Sequence, residues 1–192
     1  MTTVEIVVYE GFDELDAIGP YEVLANAAGL GADIAVSLVT LEPCDVVEAS
    51  HGLRVEPDGV LGSPDVLVVP GGGWNDRSAA GAWSEAERGE IPEAVARLHD
   101  GGATIASVCT GGMLLAHAGV LDGRPAVTHA GALSDLREFP VEVREERVVD
   151  DGDVLTAGGV TSGLDLAFHL VERLASVEVA TRVASEMEYD RR

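Results

Sequence analysis

Residues 104–116 carry the sequence TIASVCTGGMLLA, in which a β-branched run passes without a linker into a helix-forming run. The pattern predicts a strand over residues 104–108 and a helix over residues 110–116. Cys109 lies at the junction, inside a small-x-Cys-x-Gly pattern over residues 107–111. Small neighbours at such a junction are typical of a nucleophile elbow, because the turn is strained and crowded. The sulfur is therefore predicted to lie at the N-terminus of a helix.

Two interpretations of Cys109 follow from this spacing. In the first, Cys109 is functional, and the helix dipole and the turn amides lower the pKa of its thiol. In the second, it is a buried cysteine that packs as a small hydrophobic residue. The other cysteine, Cys44, lies away from any predicted helix start, and we interpret it as structural or incidental.

Around this junction, short apolar runs alternate with helical periodicity. Strands are predicted at residues 4–9, 34–41, 65–69, 147–149 and 154–156, with a hairpin around residues 50–52 and a short strand at 126–128. Helices are predicted at residues 14–28, 84–100 and 162–174, the second broken near Pro92 and the third begun by a capping box of Ser162 and Asp165. The alternation predicts a largely parallel sheet with helices on both faces.

In such a sheet, ligands bind at the carboxyl ends of the strands. Residues 11–16, residues 70–73 and Cys109 all fall at predicted strand ends, so we expect them to converge. The three glycines of residues 70–73 allow backbone N–H groups to approach a ligand and to complete an oxyanion hole, although an ordinary tight turn has the same pattern. Asp16 is either a helix-capping acid or a carboxyl beside the thiol, where its pKa would be raised.

The histidines give weaker signals. His129 follows the short predicted strand and is a candidate for the same edge of the sheet, whereas His51 lies in a loop and is ambiguous. The remaining histidines are interpreted as packing or surface residues: His99, His117 and His169. No histidine pair has zinc-ligand spacing, and a phosphate loop with a lysine is excluded because the chain has no lysine. The sequence therefore predicts neither a metal nor a cofactor.

The chain is strongly acidic, with a formal net charge of −22 and 12 basic residues, all of them arginine. A nucleic acid is not expected as a partner, because phosphate binding needs a basic face. Self-repulsion of this size opposes folding unless salt near 1 M shortens the screening length to roughly 3 Å. We interpret the composition as that of a halophilic protein, with an acidic protein from a GC-rich genome as the alternative. No membrane span or secretory signal is visible, so a cytoplasmic location is expected.

The combined motifs resemble the ThiJ/PfpI superfamily over nearly the whole chain. The resemblance is carried by GFDELD at 11–16 with Gly19 and Pro20, PGG at 70–72, VCTG at 108–111, TH at 128–129 and TAGGVTSGLD at 156–165. It implies one domain over residues 1–192 of the class I glutamine-amidotransferase-like type. The implied fold is a flavodoxin-like three-layer α/β sandwich with a mostly parallel sheet, and the implied assembly is a homodimer.

The resemblance also implies roles for single residues. The elbow cysteine of that superfamily is the nucleophile, and an acid from the first βα junction reaches its sulfur, which implies these roles for Cys109 and Asp16. The backbone amides of Gly72 and Thr110 are implied as oxyanion-hole donors, with Gly73 beside them. A histidine later in the chain, matching His129, is implied as a supporting residue.

Thr110 directly after the cysteine is similar to the isonitrile-hydratase branch, in which the aspartate, the cysteine and this threonine form the functional trio. This implies hydration of a small-molecule isonitrile to an N-substituted formamide without a cofactor. Many relatives of that branch have tryptophan where this chain has Ala130, which leaves the substrate open. Two alternatives remain: a glyoxalase or deglycase that acts on small 2-oxoaldehydes, and a non-enzymatic redox sensor in which Cys109 is oxidised to sulfinic acid.

Transcription regulators also carry this domain, fused to a helix-turn-helix module. Few residues follow the last predicted helix of this chain, and the charge does not suit DNA. No DNA-binding domain is therefore expected.

Overall fold

The computed structural model describes residues 1–191, so residue 192, the last of the predicted domain, lies outside the described residues. The strands are β1 (Thr2–Val7), β2 (Ile34–Thr40), β3 (Val47–Glu48), β4 (Arg54–Val55), β5 (Gly59–Val60), β6 (Val66–Val69), β7 (Thr104–Val108), β8 (Pro125–Ala126), β9 (Glu142–Val143), β10 (Val148–Asp150) and β11 (Val154–Ala157). The helices are α1 (Glu14–Gly29), α2 (Ala82–Arg88), α3 (Glu90–Asp100), α4 (Gly111–His117), α5 (Leu133–Leu136), α6 (Ser162–Leu174) and α7 (Val177–Glu186), with a 3₁₀ turn at Ala130–Ala132 before α5.

Among the described residues, the main sheet has seven strands in the order β10-β11-β7-β6-β1-β2-β5. All neighbouring pairs are parallel except β10 and β11, which are antiparallel. Helices α1, α6 and α7 pack together, and helices α2, α3 and α4 pack together. The connection from β1 to β2 runs towards the β5 edge of the sheet, and the connection from β6 to β7 runs towards the β10 edge. Because both crossovers are right-handed, the two groups of helices lie on opposite faces of the sheet. The predicted flavodoxin-like three-layer sandwich is confirmed.

The central strands are covered on both faces, which explains their continuous apolar sequences. All four residues of β6 are buried, and so are all four of β11. A strand buried on both faces of a parallel sheet has no polar alternation. The chain passes from β1 to β2 towards one edge of the sheet and from β6 to β7 towards the other edge. Because these connections leave adjacent strands in opposite directions, a crevice opens at the carboxyl ends of β1 and β6. The candidate site lies at this edge.

Two local predictions about helix ends are wrong. The helical stretch predicted over residues 84–100 breaks at Gly89, which has φ +82° between α2 and α3, and not at Pro92. Ser162 is not a cap, because Thr161 precedes α6 and no side chain caps that helix. The Asp165 carboxylate instead accepts hydrogen bonds from Arg147 Nε (2.6 Å) and the Tyr189 hydroxyl (2.9 Å).

Smaller elements complete the chain. The predicted hairpin is present as β3 and β4, in which Val47 pairs with Val55. The short strand predicted at 126–128 lies at Pro125–Ala126 and pairs with β9, outside the main sheet. Helix α7, which the periodicity did not predict, packs against α6 and α1. No helix in the part of the chain that the structure describes is both long enough and apolar enough to cross a membrane.

Candidate active site

Cys109 lies on the turn that joins β7 to α4, in the left-handed region at φ +57°. A non-glycine residue in this region is strained, so the surrounding contacts must hold it in place. Its N–H donates to the carbonyls of Ala157 (3.1 Å) and Gly158 (2.9 Å), and its carbonyl accepts from Thr128 Oγ1 (2.9 Å). These bonds tie the turn to β11 and to the segment after β8. The predicted elbow geometry is therefore present.

Glycines are required where the end of β6 meets this turn. A Cβ on Gly71 would lie 2.4 Å from the backbone nitrogen of Thr110, and a Cβ on Gly111 would lie 2.1 Å from the carbonyl oxygen of Val69. Real Cβ atoms do not approach other atoms this closely, so only glycine lets the two segments meet. The glycines thus bring residues 70–73 against the cysteine turn.

Asp16 lies in the first turn of α1 and is fully buried. Its Oδ2 accepts a hydrogen bond from the Gly71 N–H at 3.0 Å, while its Oδ1 has no hydrogen-bond partner among residues 1–191. Burial, with the nearby charge of Asp13 as a smaller cause, raises the pKa of Asp16 to about 8. The carboxyl is therefore protonated at neutral pH. This agrees with the interpretation of Asp16 as an acid beside the thiol rather than a capping residue; the cap of α1 is Asp13.

The thiol of Cys109 faces Asp16, and the predicted lowering of its pKa is wrong. Cys109 is only 5% exposed, and burial raises the pKa of the thiol to about 12, with the Asp16 charge as the second cause. The N–H groups of Val160 and Thr110 act in the opposite direction, but their effect is smaller. At neutral pH the pair is therefore a neutral thiol beside a neutral carboxyl. The exposed cysteine is Cys44.

The structure changes the set of amides expected at the oxyanion hole. The Gly72 N–H donates to Thr110 Oγ1 at 2.9 Å, so it is not a free donor. The amides directed at the sulfur are those of Thr110 and Val160. Val160 was missed because a backbone N–H leaves no side-chain signal in the sequence. Gly73, at φ +63°, shapes the turn, since a Cβ there would lie 2.5 Å from the Ala80 carbonyl oxygen.

His129 lies beside the site, against the loop that carries the Val160 amide. A Cβ on Gly159 would lie 3.0 Å from the His129 ring. The ring Nδ1 accepts from the Gly131 N–H at 3.0 Å and lies 3.3 Å from Asn75 Nδ2. Because Nδ1 accepts from the Gly131 N–H, the ring tautomer that fits this contact carries its hydrogen on Nε2. These contacts give His129 a supporting place in the wall of the site.

Two clefts lie near the cysteine turn, and neither is lined by Cys109, Thr110 or Asp16. One, of about 410 Å³, is bordered by Thr128, Gly158 and Gly159. The other, of about 500 Å³, is bordered by Gly72 and Gly73 together with Glu10, Asp13, Glu48, Ser50, His51 and Asp76. Residues that hydrogen-bond to the cysteine turn line both clefts: Thr128 and Gly158 line the first, and Gly72 lines the second.

His51 lies in the second cleft and pairs with Glu14, with 2.6 Å between Nδ1 and Oε2. This hydrogen bond raises the pKa of His51. Among the described residues, one group has potential metal-ligand atoms within 4.8 Å of one another: Asp13, Glu14 and His51. The hydrogen bonds between Glu14 and His51 account for this arrangement.

Known proteins of one family are similar to this chain in sequence and in structure. The model of the DJ-1/PfpI family matches residues 2–173 of the chain. The isonitrile hydratase of Pseudomonas putida is 34% identical over 182 residues, which cover 92% of this chain and 73% of the relative. Protein DJ-1alpha of Drosophila melanogaster is 27% identical over 188 residues, which cover 95% and 82% of the two chains. The crystal structure of a ThiJ/PfpI family protein from Pseudomonas syringae superposes with a TM-score of 0.87 at 28% identity, covering 100% of this chain and 76% of that chain.

Proposed function

The chain belongs to the DJ-1/PfpI family, and we propose that it is a cysteine-dependent enzyme that hydrates a small isonitrile to an N-substituted formamide. One observation carries the proposal: the thiol of Cys109, on a strained turn, faces the buried carboxyl of Asp16, which is protonated at neutral pH. An isonitrile carbon needs a nucleophile and a proton at the same atom. The similarity to the P. putida hydratase supports the choice of substrate class.

In the first half-reaction, Cys109 Sγ attacks the terminal carbon of R–N≡C. The S–H bond breaks as the S–C bond forms; Asp16 gives its proton to the same carbon and takes up the thiol proton. The product is the thioimidate Cys–S–CH=N–R, and the Asp16 carboxyl is again protonated. This relay suits the raised pKa of the thiol, because the sulfur loses its proton only as it attacks. Negative charge that develops on the sulfur is stabilised by the N–H groups of Thr110 and Val160.

In the second half-reaction, water adds to the thioimidate carbon. Asp16 protonates the substrate nitrogen and accepts a proton from the water, which gives a tetrahedral carbon that bears OH, S and NHR. This intermediate collapses to R–NH–CHO as the C–S bond breaks, and the hydroxyl proton returns through Asp16 to the sulfur. Thr110 Oγ1 accepts from Gly72, so its own O–H is available to orient the substrate or the water. His129 supports the wall of the site, and no step requires a metal or a cofactor.

We also propose an assembly and a cellular environment for the protein, from its composition and its family. The enzyme acts on a small molecule, forms a homodimer and works in a cytoplasm rich in salt. The charge of −22 supports the salty environment, and family membership supports the dimer.

The experiment is a steady-state screen of small isonitriles and of 2-oxoaldehydes at molar salt, with Cys109→Ala as the matched control. The wild-type protein is expected to release the N-substituted formamide over many turnovers, and Cys109→Ala is expected to release none. Conversion of methylglyoxal to lactate without formamide would replace the hydratase with a glyoxalase. Turnover of neither class, together with selective oxidation of Cys109, would replace the enzyme with a redox sensor.

A further inference from the structure

Tyr9 is a buried tyrosine in the segment between β1 and α1. It is 7% exposed, and its hydroxyl donates a hydrogen bond to the carbonyl oxygen of Pro70 at 2.5 Å. The apolar core would accept phenylalanine at this position. Packing alone does not explain the hydroxyl, so we ask what its hydrogen bond to the Pro70 carbonyl does.

The Pro70 carbonyl belongs to the same peptide group as the Gly71 N–H, which donates to Asp16 Oδ2 at 3.0 Å. Tyr9 and Asp16 thus bind opposite ends of one peptide. A donor on the carbonyl polarises the peptide and makes its N–H a stronger donor, because hydrogen bonds in a chain reinforce each other. The same bond holds the peptide in one orientation, and with it the carboxyl of Asp16.

We propose that Tyr9 is a positioning residue, which acts through the Pro70–Gly71 peptide to hold Asp16 Oδ2 and to leave Oδ1 free to face Cys109. This inference rests on the proposed function insofar as Asp16 is the proton donor. The unpartnered Oδ1 is the expected result, since a carboxyl fixed through one oxygen presents the other to the reacting atoms.

Several charged or titratable groups surround this arrangement. Asp13 acts on Asp16 from the start of α1, and Cys109 from the β7–α4 turn. Glu85 acts on Tyr9 from α2. Burial holds the pKa of Tyr9 well above its usual range, so Tyr9 remains a neutral donor. The bond from Gly71 lowers the pKa of Asp16 against the effect of burial, so a weaker bond must raise it.

The test is the titration of Asp16 followed by ¹³C NMR of aspartate-labelled protein, with Asp16→Asn to assign the resonance. Tyr9→Phe removes the hydroxyl alone, and the Asp16 midpoint is expected to rise by about half a pH unit or more. Tyr21→Phe, on the half-buried outer side of α1, is the matched control and should leave the midpoint unchanged. With an isonitrile that is turned over, Tyr9→Phe should lower kcat/KM about three- to ten-fold, mainly through kcat.

A second variant protects the test against loss of folding. Incorporation of 3-fluorotyrosine at position 9 keeps the packing but makes the hydroxyl a stronger donor, so the Asp16 midpoint should fall. A midpoint that moves in neither variant overturns the inference. Because the titration needs no substrate, shifts of the expected sign in a protein that hydrates no isonitrile would keep the role of Tyr9 and remove the proposed reaction.

Discussion

At the scale of single residues, the site depends on a carboxyl that the fold keeps away from water. Asp16 is fully buried, and the Gly71 N–H donates a hydrogen bond to its Oδ2. A carboxyl in such a place stays protonated, which suits an acid that delivers a proton. The same burial opposes folding at neutral pH, because the unfolded chain can ionise Asp16 and the folded chain cannot.

The stability of the protein should therefore change with pH through Asp16. The pKa of Asp16 in the folded protein is about 8, whereas that of an unfolded aspartate is about 3.9. Below the lower value both states hold the proton. Between the two values only the folded state does, so the free energy of unfolding falls with rising pH by roughly 1.4 kcal/mol per unit, and it levels off above the folded pKa.

Asp16→Asn removes this loss and is expected to be more stable than wild type at pH 8, with a difference that shrinks towards pH 4. Urea unfolding across this range at constant salt measures it. Asp45→Asn, at an exposed position, is the matched control for the change of aspartate to asparagine, and it leaves the groups around Asp16 unchanged. A wild-type protein whose advantage over Asp16→Asn grows with pH would contradict a raised pKa for Asp16.

The candidate site was predictable where a side chain carries the signal. Cys109, Asp16 and Thr110 were named from motif and position, and the structure brings them together. The direction of the Cys109 pKa was not predictable, because it depends on how deeply the turn is buried. Two backbone contacts were not predictable either: the hydrogen bond from the Gly72 N–H to Thr110, and the Val160 N–H directed at the sulfur. Every residue except proline has a backbone N–H, so only the fold determines which of them reach the site.

At the scale of elements, the critical joint is the contact between the end of β6 and the start of α4. Gly71 and Gly111 lie at this joint with no room for a side chain. The joint places the peptide that binds Asp16 next to the turn that carries Cys109.

Gly71→Ala should therefore destabilise the protein by about 3 kcal/mol or more, because its Cβ would overlap the backbone of Thr110. The matched control is Gly29→Ala at the end of α1, where a Cβ meets nothing within 4 Å. That change should stabilise the protein by about 0.5 kcal/mol, since alanine reduces the freedom of the unfolded chain. Thermal unfolding of the three proteins compares them. Equal stability of Gly71→Ala and Gly29→Ala would contradict this prediction, because it would mean that the backbone around Gly71 can move to accept a Cβ at little cost.

The main elements were predictable from apolar runs, and the misses have identifiable causes. Pro92 falls in the first turn of α3, where proline is tolerated, so the break lies instead at Gly89. Helix α7 is rich in β-branched residues, which are weak helix formers, and it is stabilised by packing on α6 and α1. Such tertiary contacts are not visible in local propensity.

At the scale of the whole molecule, charge dominates. The sequence has 34 acidic residues against 12 basic ones. Arginines are shared between carboxylates where they can be, as Arg124 is between Asp151 and Asp153 at 3.1 and 2.6 Å. The carboxylates still outnumber the arginines, so repulsion between them remains and must be screened.

Stability is expected to fall steeply when KCl is lowered from about 1 M to about 0.1 M, because the screening length grows from roughly 3 to 10 Å. Thermal unfolding over a KCl series measures this. A series in sucrose at matched osmolality separates charge screening from solvent exclusion. An unfolding midpoint that is flat across the KCl series would remove the halophilic interpretation.

The central claim is that Cys109 carries the substrate as a covalent thioimidate, and rapid-quench mass spectrometry during turnover of an isonitrile tests it most directly. The peptide that contains Cys109 should transiently gain the full mass of the isonitrile, since addition expels no atom. The adduct should decay as formamide appears, and Cys109→Ala should show neither adduct nor formamide. Formamide released by Cys109→Ala at the wild-type rate, with no adduct in the wild type, would contradict the account.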